Sequence, residues 1–414
     1  MDARALSRIA PVARIQRDTR PQRAFQARAD AHLDALRRGS DPDRIHSLAD
    51  ALARSPAHRE RLAAAGLSPR DLRSVDDLPH FPTLSRNELA AQWDAFPVVD
   101  GERELSVAKS SGTTGEPVRV VRDAYDNLHM WTVLRFWLDR FGITPPPRPR
   151  VVLLDVLPGG LEYSVRLPLL GDGALHRLST IRADANARLV RARPSVIFTD
   201  PAGLHWILAQ EHLPSPKLVL TSAQALAPAL REAVQARLGV PLLDYYATTE
   251  TGPIAWSCPR VPEHFHVLSP DVHVESVNGE LVVTRLRESV LPLLRYLPGD
   301  HGDVQQVLCP CGFAGSSIVG MSGRSACRFV RPDGARVDAW SLAWIFKHHA
   351  LRAFQLTQVG PEHFTLALDA PEIDAALVDR LRAALVTHGW HAPTIDVALG
   401  PISSQPKPEP FVCR

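Results

Sequence analysis

Residues 110–120 read SSGTTGEPVRV, a run whose hydroxyls and glycines suit an anion. Serine and threonine donate from their side chains, and Gly112 and Gly115 let backbone N–H groups approach an oxygen closely. Phosphate is the chemistry such a loop serves. A Walker-type loop, however, closes on Gly-Lys-Ser/Thr and opens a helix. Here Glu116-Pro117 leads into the β-branched VRVV, and the loop has no lysine of its own. Only four of the chain's 47 Lys and Arg residues are lysines: Lys109, Lys217, Lys347 and Lys407. In so arginine-biased a chain, a retained lysine is a candidate for work that needs a compact, mobile ammonium. A second set of residues suits a metal. Cys309 and Cys311 form C-P-C-G, and Cys258 lies upstream with His266 or His264 in CPRVPEHFHV. Three thiols and an imidazole make a closed, tetrahedral structural zinc site.

The bulk properties narrow the setting. A chain of 414 residues exceeds one ordinary core, so two or three domains are expected. A formal charge of +2 offers nothing to nucleic acid or to an anionic membrane surface. No apolar run approaches the roughly 20 residues that a bilayer span needs. Five cysteines, an odd and sparse count, do not suggest a secreted disulfide scaffold. The N-terminal stretch is rich in arginine but lacks an apolar targeting segment. It reads as a surface helix of a cytoplasmic protein.

Elements that position these residues follow from pattern. Residues 1 to about 75 show helical Ala/Leu/Arg periodicity, broken at GSDPD, and Ser85 with Glu88 has capping-box spacing. ELSVAKS and VRVVRD alternate as strands on either side of the polar loop. A helix follows over about 124–141. PRVVLLDVL, PSVIFTD, PKLVLTSAQAL and GVPLLDYYATTETG then read as strands separated by helical segments, which predicts βαβ units and a parallel sheet. From about 264 to 308 short alternating strands make a β-rich unit. After GMSGR a compact strand-and-helix module of about 90 residues closes the chain, with an amphipathic helix in EIDAALVDRLRAALVTHG.

In order, SSGTTGEP, YYATTETG, LRYLPGDHGDV, GMSGR and a short C-terminal module resemble the adenylate-forming superfamily of acyl-CoA synthetases, adenylation domains and luciferases. LPHFPTLSRNEL, LDYYATTE, RYLPGD, CPCG and MSGR are similar to the phenylacetate-CoA ligase branch, over about residues 78–330. The resemblance implies an α/β fold. A large N-terminal domain, 1–322, holds a mostly parallel βαβ core (about 78–255) and a β-rich part (about 256–322), and a small α+β domain spans 323–414.

It also implies roles. Ser110, Ser111, Gly112, Thr113, Thr114 and Gly115 would fold over the β- and γ-phosphates of ATP. Many relatives carry a lysine just after the proline, where this chain has Val118, and members of the phenylacetate branch lack it too. Tyr246 would lie against adenine, with Ala223 and Gln224 lining it, and Asp300 would accept both ribose hydroxyls. Thr249 would approach the α-phosphate and Glu250 would hold Mg²⁺. Arg324 stands at the domain junction, followed by Ser325-Ala326-Cys327 where relatives place a hinge acid or lysine. Lys407, in PISSQPKPEPFV, matches the lysine that meets the carboxylate and the α-phosphate. Some members of the branch carry a zinc clip, and Cys258, His266, Cys309 and Cys311 match it. The expected reaction is ATP- and Mg²⁺-dependent activation of a carboxylic acid, aryl or arylacetic, as acyl-AMP with release of pyrophosphate. Transfer to coenzyme A follows. A carrier-protein thiol, an amine or a protein cysteine is the alternative acceptor, a non-catalytic nucleotide-binding protein the rival class, and a homodimer a possible assembly.

Overall fold

The computed structural model describes residues 21–101, 104–109, 118–155, 162–180, 182–224, 226–322, 327–339, 342, 345–346, 353–370, 372–373, 375–400 and 411–413. The phosphate-loop residues 110–115, Arg324 and Lys407 lie outside the described residues.

Three helices come first: α1 (Pro21–Arg38), α2 (Asp43–Arg54) and α3 (Pro56–Ala64). Ile45, Leu48 and Leu52 sit at three- and four-residue spacing and form the buried stripe of α2. Pro56 cannot continue α2, so a new helix starts there with Ser55 as its cap. α4 (Arg86–Ala91) begins at Ser85, whose hydroxyl accepts from Glu88 N (3.2 Å) while the Glu88 carboxylate accepts from Ser85 N (2.8 Å). The S-x-x-E spacing therefore forms the capping box it predicts. β1 (Leu105–Lys109) and β2 (Arg119–Asp123) pair antiparallel with Lys109 opposite Arg119. The strand after the polar loop excludes a Walker loop, which must open a helix. α5 (Ala124–Arg140) follows at once, capped by Asp123.

The main sheet is built from β3 (Arg150–Asp155), β4 (Tyr163–Leu167), β5 (Gly173–Ser179), β6 (Val196–Thr199), β7 (Leu218–Thr221) and β8 (Leu242–Thr248). Crossover helices α6 (Ala185–Ala192), α7 (Pro201–Leu208) and α8 (Pro228–Leu238) separate them. Strands β5, β3, β6, β7 and β8 run parallel in that order, with β4 antiparallel at the edge. Leu189, Leu204, Ile207 and Val234 of the helices pack on Val152, Leu154, Ile197 and Val219 of the strands. At β8 the direction reverses. β9 (Gly252–Ser257) folds back antiparallel, and β10 (Phe265–Val267), β11 (Val272–Val277), β12 (Glu280–Arg285), β13 (Leu293–Tyr296), β14 (His301–Leu308) and β15 (Ala314–Ser322) continue the same 13-stranded sheet. The β-rich stretch is thus continuous with the parallel half. β5, β9 and β15 escape the sequence pattern because glycine, proline or polar residues interrupt their alternation, while β4, though it alternates, spans only five residues.

Beyond residue 327 a separate core forms. The hairpin β16 (Arg328–Val330) and β17 (Arg336–Asp338) precedes a four-stranded sheet ordered β20-β19-β18-β21. Its members are β18 (Ala353–Gly360), β19 (His363–Asp369), β20 (Thr394–Leu399) and β21 (Phe411–Cys413), with α9 (Ala375–Thr387) packed on them. Phe329, Leu356, Phe364, Leu381, Trp390 and Phe411 fill the interior. Cys327 and Cys413 form a disulfide across 86 residues of sequence. The cysteine count gave no hint of it, because β21 must first pair with β18 to bring the two ends together. Closing a loop of that length removes roughly 4.5 kcal/mol of denatured-state entropy on the chain-entropy account.

One buried polar cluster ties the N-terminal helices to the sheet. Asp271, in the loop between β10 and β11, accepts from His32 Nε2 (2.6 Å) and Arg44 Nη1 (2.5 Å) at Oδ1 and from His129 Nε2 (2.6 Å) at Oδ2. Tyr125 Oη lies 2.7 Å from His32 Nδ1. Two imidazoles and a carboxylate have metal-ligand composition, yet the Arg44 guanidinium already supplies the cation. Burial alone would raise the Asp271 carboxyl, but His32, Arg44 and His129 hold it well below the usual range. Burial, then Arg287, pushes His129 down to about 3. Unfolded histidine titrates near 6.5, so the unfolded chain binds a proton that folded His129 refuses. This contribution is fully present above about pH 6.5 and is lost as pH falls toward about 3, with Asp271 adding to the loss below about pH 4. The urea midpoint should therefore decline from pH 7 to pH 4, and His129→Asn should flatten that decline. An equal slope in the variant would reject the cluster as the source.

Candidate active site

Strand β8 carries two tyrosines to opposite faces. Tyr245 is buried against Trp137 and Phe198, with ring centroids 5.0 and 5.6 Å away. Trp256, which with Tyr245 is a sequence candidate for the acyl pocket, is enclosed by Phe136, Phe141, His266 and Phe313. Both are core residues, and of the stretch DVLPGGLEYS (155–164), which the sequence also offers as an acyl pocket, 156–161 lie outside the described residues. Tyr246 faces the other way, half-buried, and its hydroxyl donates to Asp300 Oδ2 at 2.7 Å. Asp300 follows Gly299, whose φ of +84° is the left-handed conformation that turns β13 into β14. The Asp300 carbonyl accepts from Leu281 N at 2.9 Å, which pins the turn to β12. The residues matched to adenine and ribose are thus one hydrogen-bonded pair.

The turn from β8 to β9 holds Thr249 and Glu250. Its own hydroxyls shape it: Thr251 N donates to Thr248 Oγ1 (3.1 Å), and the two threonine hydroxyls are 2.9 Å apart. Two arginines clamp its carbonyls, Arg122 Nη2 on Thr249 O (2.5 Å) and Arg285 Nη1 on Glu250 O (3.0 Å). Burial lowers both guanidinium pKa values, Arg285 to about 9, so Arg285 still carries charge at neutral pH. Glu250 is 1% exposed. Its Oε1 accepts from Arg86 Nη1 at 2.6 Å, and its Oε2 has no partner among the described residues. Sequence reasoning missed all three arginines. Arg122 and Arg285 lie in alternating strands and Arg86 directly follows the Ser85 cap, but in an arginine-rich chain none of these positions marks a role.

The remaining candidates lie at the C-terminal ends of the parallel strands, where open α/β sheets bind ligands. Among the described residues, buried polar atoms there lack partners: Ser179 Oγ at the end of β5 and Thr180 Oγ1 just after it, Thr221 Oγ1 at the end of β7, and Gln224 Oε1 just beyond that strand. Native proteins rarely leave such atoms unpaired, and a ligand is one way to satisfy them. Ala223 sits between the last two with a φ of +79°, a conformation that costs an L-residue roughly 1–2 kcal/mol.

Away from this edge, ligand atoms of Cys258, His266, Cys309 and Cys311 all lie within 4.8 Å of one another. Cys258 Sγ is 3.4 Å from Cys309 Sγ, and His266 Nε2 is 3.3 Å from Cys311 Sγ. His266 Nδ1 meets Ser317 Oγ at 2.8 Å, which leaves Nε2 to face the thiols. Backbone N–H groups of Arg260 and Val261 donate to Cys258 Sγ at 3.3 Å each, as suits a thiolate. Without a cation, burial pushes the Cys258 thiol up to about 12. The donor set therefore fits a tetrahedral metal, and of the two candidate histidines it contains His266.

A parallel sheet that reverses at a Thr-Thr-Glu turn, with a tyrosine–aspartate pair beside it, fits the adenylate-forming class that the motifs resemble. The AMP-binding enzyme family matches residues 14–279, and the chain belongs to it. Its sequence is similar to phenylacetate-coenzyme A ligase of Pseudomonas putida, 27% identical over 299 residues, which is 65% of this chain and 67% of that protein. The enzyme of the same name from Thermus thermophilus is 27% identical over 294 residues, 63% of each chain. The chain thus spans about two thirds of the length of the curated relatives it matches. In fold it resembles a 2-hydroxyisobutyryl-CoA ligase crystallised in its postadenylation state, with a TM-score of 0.59, 15% identity and 90% of both chains covered.

The strain at Ala223 has a direct consequence. Ala223→Gly removes the Cβ penalty and should raise the unfolding free energy by about 1 kcal/mol. A lower melting temperature in the variant would show that Ala223 is not held in that conformation.

Proposed function

We propose that this chain is an AMP-forming acid–thiol ligase that activates a carboxylic acid as its acyl-AMP and passes the acyl group to coenzyme A. The observation that carries the reading is the Tyr246–Asp300 pair beside a buried Glu250 with one unpartnered oxygen. A nucleoside needs a ring face and a two-oxygen acceptor close together, and the hydrogen bond holds these two at one spacing. Ser110, Ser111, Gly112, Thr113, Thr114 and Gly115 donate to the β- and γ-phosphates, and Ala223 and Gln224 border the adenine. Thr249 offers its hydroxyl to the α-phosphate. Glu250 holds Mg²⁺, which when bound offsets charge as pyrophosphate leaves.

A substrate carboxylate oxygen attacks the α-phosphorus and the bond to pyrophosphate breaks. The thiol sulfur then attacks the acyl carbonyl, AMP departs, and the thiol proton passes to solvent. Lys407 supplies the ammonium where charge builds at phosphorus, and Arg324 lies at the junction with the C-terminal domain, 323–414. An aryl or arylacetic acid is the substrate class we favour, on the similarity to phenylacetate-CoA ligases. ATP and coenzyme A are cytoplasmic metabolites, and we place the enzyme there.

Pyrophosphate exchange into ATP across a panel of aromatic and aliphatic acids tests the reading, and no exchange with any acid would overturn it. Thioester formation with coenzyme A, against trapping by hydroxylamine alone, identifies the acceptor. Lys407→Ala should abolish most adenylate formation while ATP binding changes little. Undiminished pyrophosphate release in that variant would remove Lys407 from the chemistry.

We also assign Cys258, His266, Cys309 and Cys311 to a structural zinc ion that ties β9 and β10 to the β14–β15 hairpin. Protein purified without a histidine tag should contain about one zinc per chain, and Cys311→Ser should lose the metal and melt at lower temperature. Metal-free wild-type protein of full stability would refute the assignment.

A further inference from the structure

Arg86, the side chain that faces Glu250, has no role in the reaction as described. It is the first residue of α4, and the cap at Ser85 fixes where that helix starts. One residue earlier, Leu84 is sewn into the sheet: Leu84 N donates to Arg295 O (2.8 Å) and Leu297 N to Leu84 O (2.9 Å). Leu84 bridges in parallel with Tyr296, three residues before Gly299 and the Asp300 turn. Arg86 therefore rides on the scaffold that carries the ribose carboxylate. Its side chain is 16% exposed, and that of Glu250 is fully buried.

Glu250 has little freedom to respond. Arg122 and Arg285 hold the carbonyls of Thr249 and Glu250 itself, so the backbone turn that carries the Glu250 side chain is fixed. Arg86 takes Oε1 and leaves Oε2 buried without a partner among the described residues. An unpaired buried carboxylate oxygen is costly, and a bound cation would relieve that cost.

We propose that Arg86 is a positioning residue for the metal-binding carboxylate, fixing Glu250 through Oε1 so that Oε2 is presented to the divalent cation before nucleotide arrives. The proposal rests on Glu250 as the Mg²⁺ ligand. An arginine suits the task because its planar fork holds a carboxylate in one orientation, whereas a lysine ammonium leaves it free to swing.

Thermal unfolding of the full chain, with ATP and rising Mg²⁺ or with ATP and a chelator, gives a readout that needs no acid substrate. Wild-type protein should show a Mg²⁺-dependent rise in melting temperature. Arg86→Gln should need about ten-fold more Mg²⁺ for half of that rise, as changes to residues that orient metal ligands commonly do, and Arg86→Lys should fall between. Pyrophosphate exchange should show the same displaced Mg²⁺ dependence with an unchanged KM for the carboxylic acid. If Arg86→Gln lowers only the melting temperature of the unliganded protein and keeps the wild-type Mg²⁺ midpoint, Arg86 is merely structural and the proposal falls. If Arg86→Gln does not fold, Arg86→Lys decides by the same midpoint. A wild-type protein with no Mg²⁺-dependent rise would instead defeat Glu250 as the metal ligand, and the proposal with it.

Discussion

A carboxylate kept dry at the point where the main sheet reverses direction governs the arrangement around it. Glu250 sits where β8, the last parallel strand, turns back into β9. A buried charge is tolerated only with a partner and with its surroundings satisfied. Arg86 supplies the partner, and Arg122 and Arg285 saturate the turn's carbonyls. These arginines come from α4, β2 and β12, so the one turn requires three separate regions of the chain to close around it.

The same logic recurs at the base of the sheet. Asp271 is fully buried, and His32, Arg44 and His129 converge on it from α1, α2 and α5. Asp126 and Arg287 form a second buried pair nearby, 2.7 Å apart, with Ser289 on the other carboxylate oxygen. Each group removed alone would strand its partner's charge, so these clusters bind the N-terminal helices to the sheet more specifically than apolar contacts do. The apolar contacts still supply most of the stability.

Cysteine chemistry divides along the chain. Three thiols gather with His266 at the antiparallel half of the sheet, and the other two close the C-terminal unit. The odd total that argued against disulfides is the sum of two unlike devices, one a metal-type cluster and one a cross-link. The cross-link also sets Cys413 on β21, six residues after Lys407 in sequence.

What the sequence by itself determined was local or ordered along the chain. Alternation in ELSVAKS and VRVVRD is enough for the hairpin around the polar loop, S-x-x-E for the capping box, and strand–helix succession for the parallel half. Tyr246, Glu250 and Asp300 were singled out by their place in motifs that resemble the adenylate-forming superfamily, and Cys258, Cys309 and Cys311 by type and spacing, with the histidine left between His264 and His266. Only the tertiary structure decided what their side chains meet. Arg86 and Glu250 are 164 residues apart, and the motif and helix cap that place Arg86 in sequence do not say what its side chain meets. Burial does, because a guanidinium in water is one charge among many, while one facing a dry carboxylate is held to it in a low dielectric.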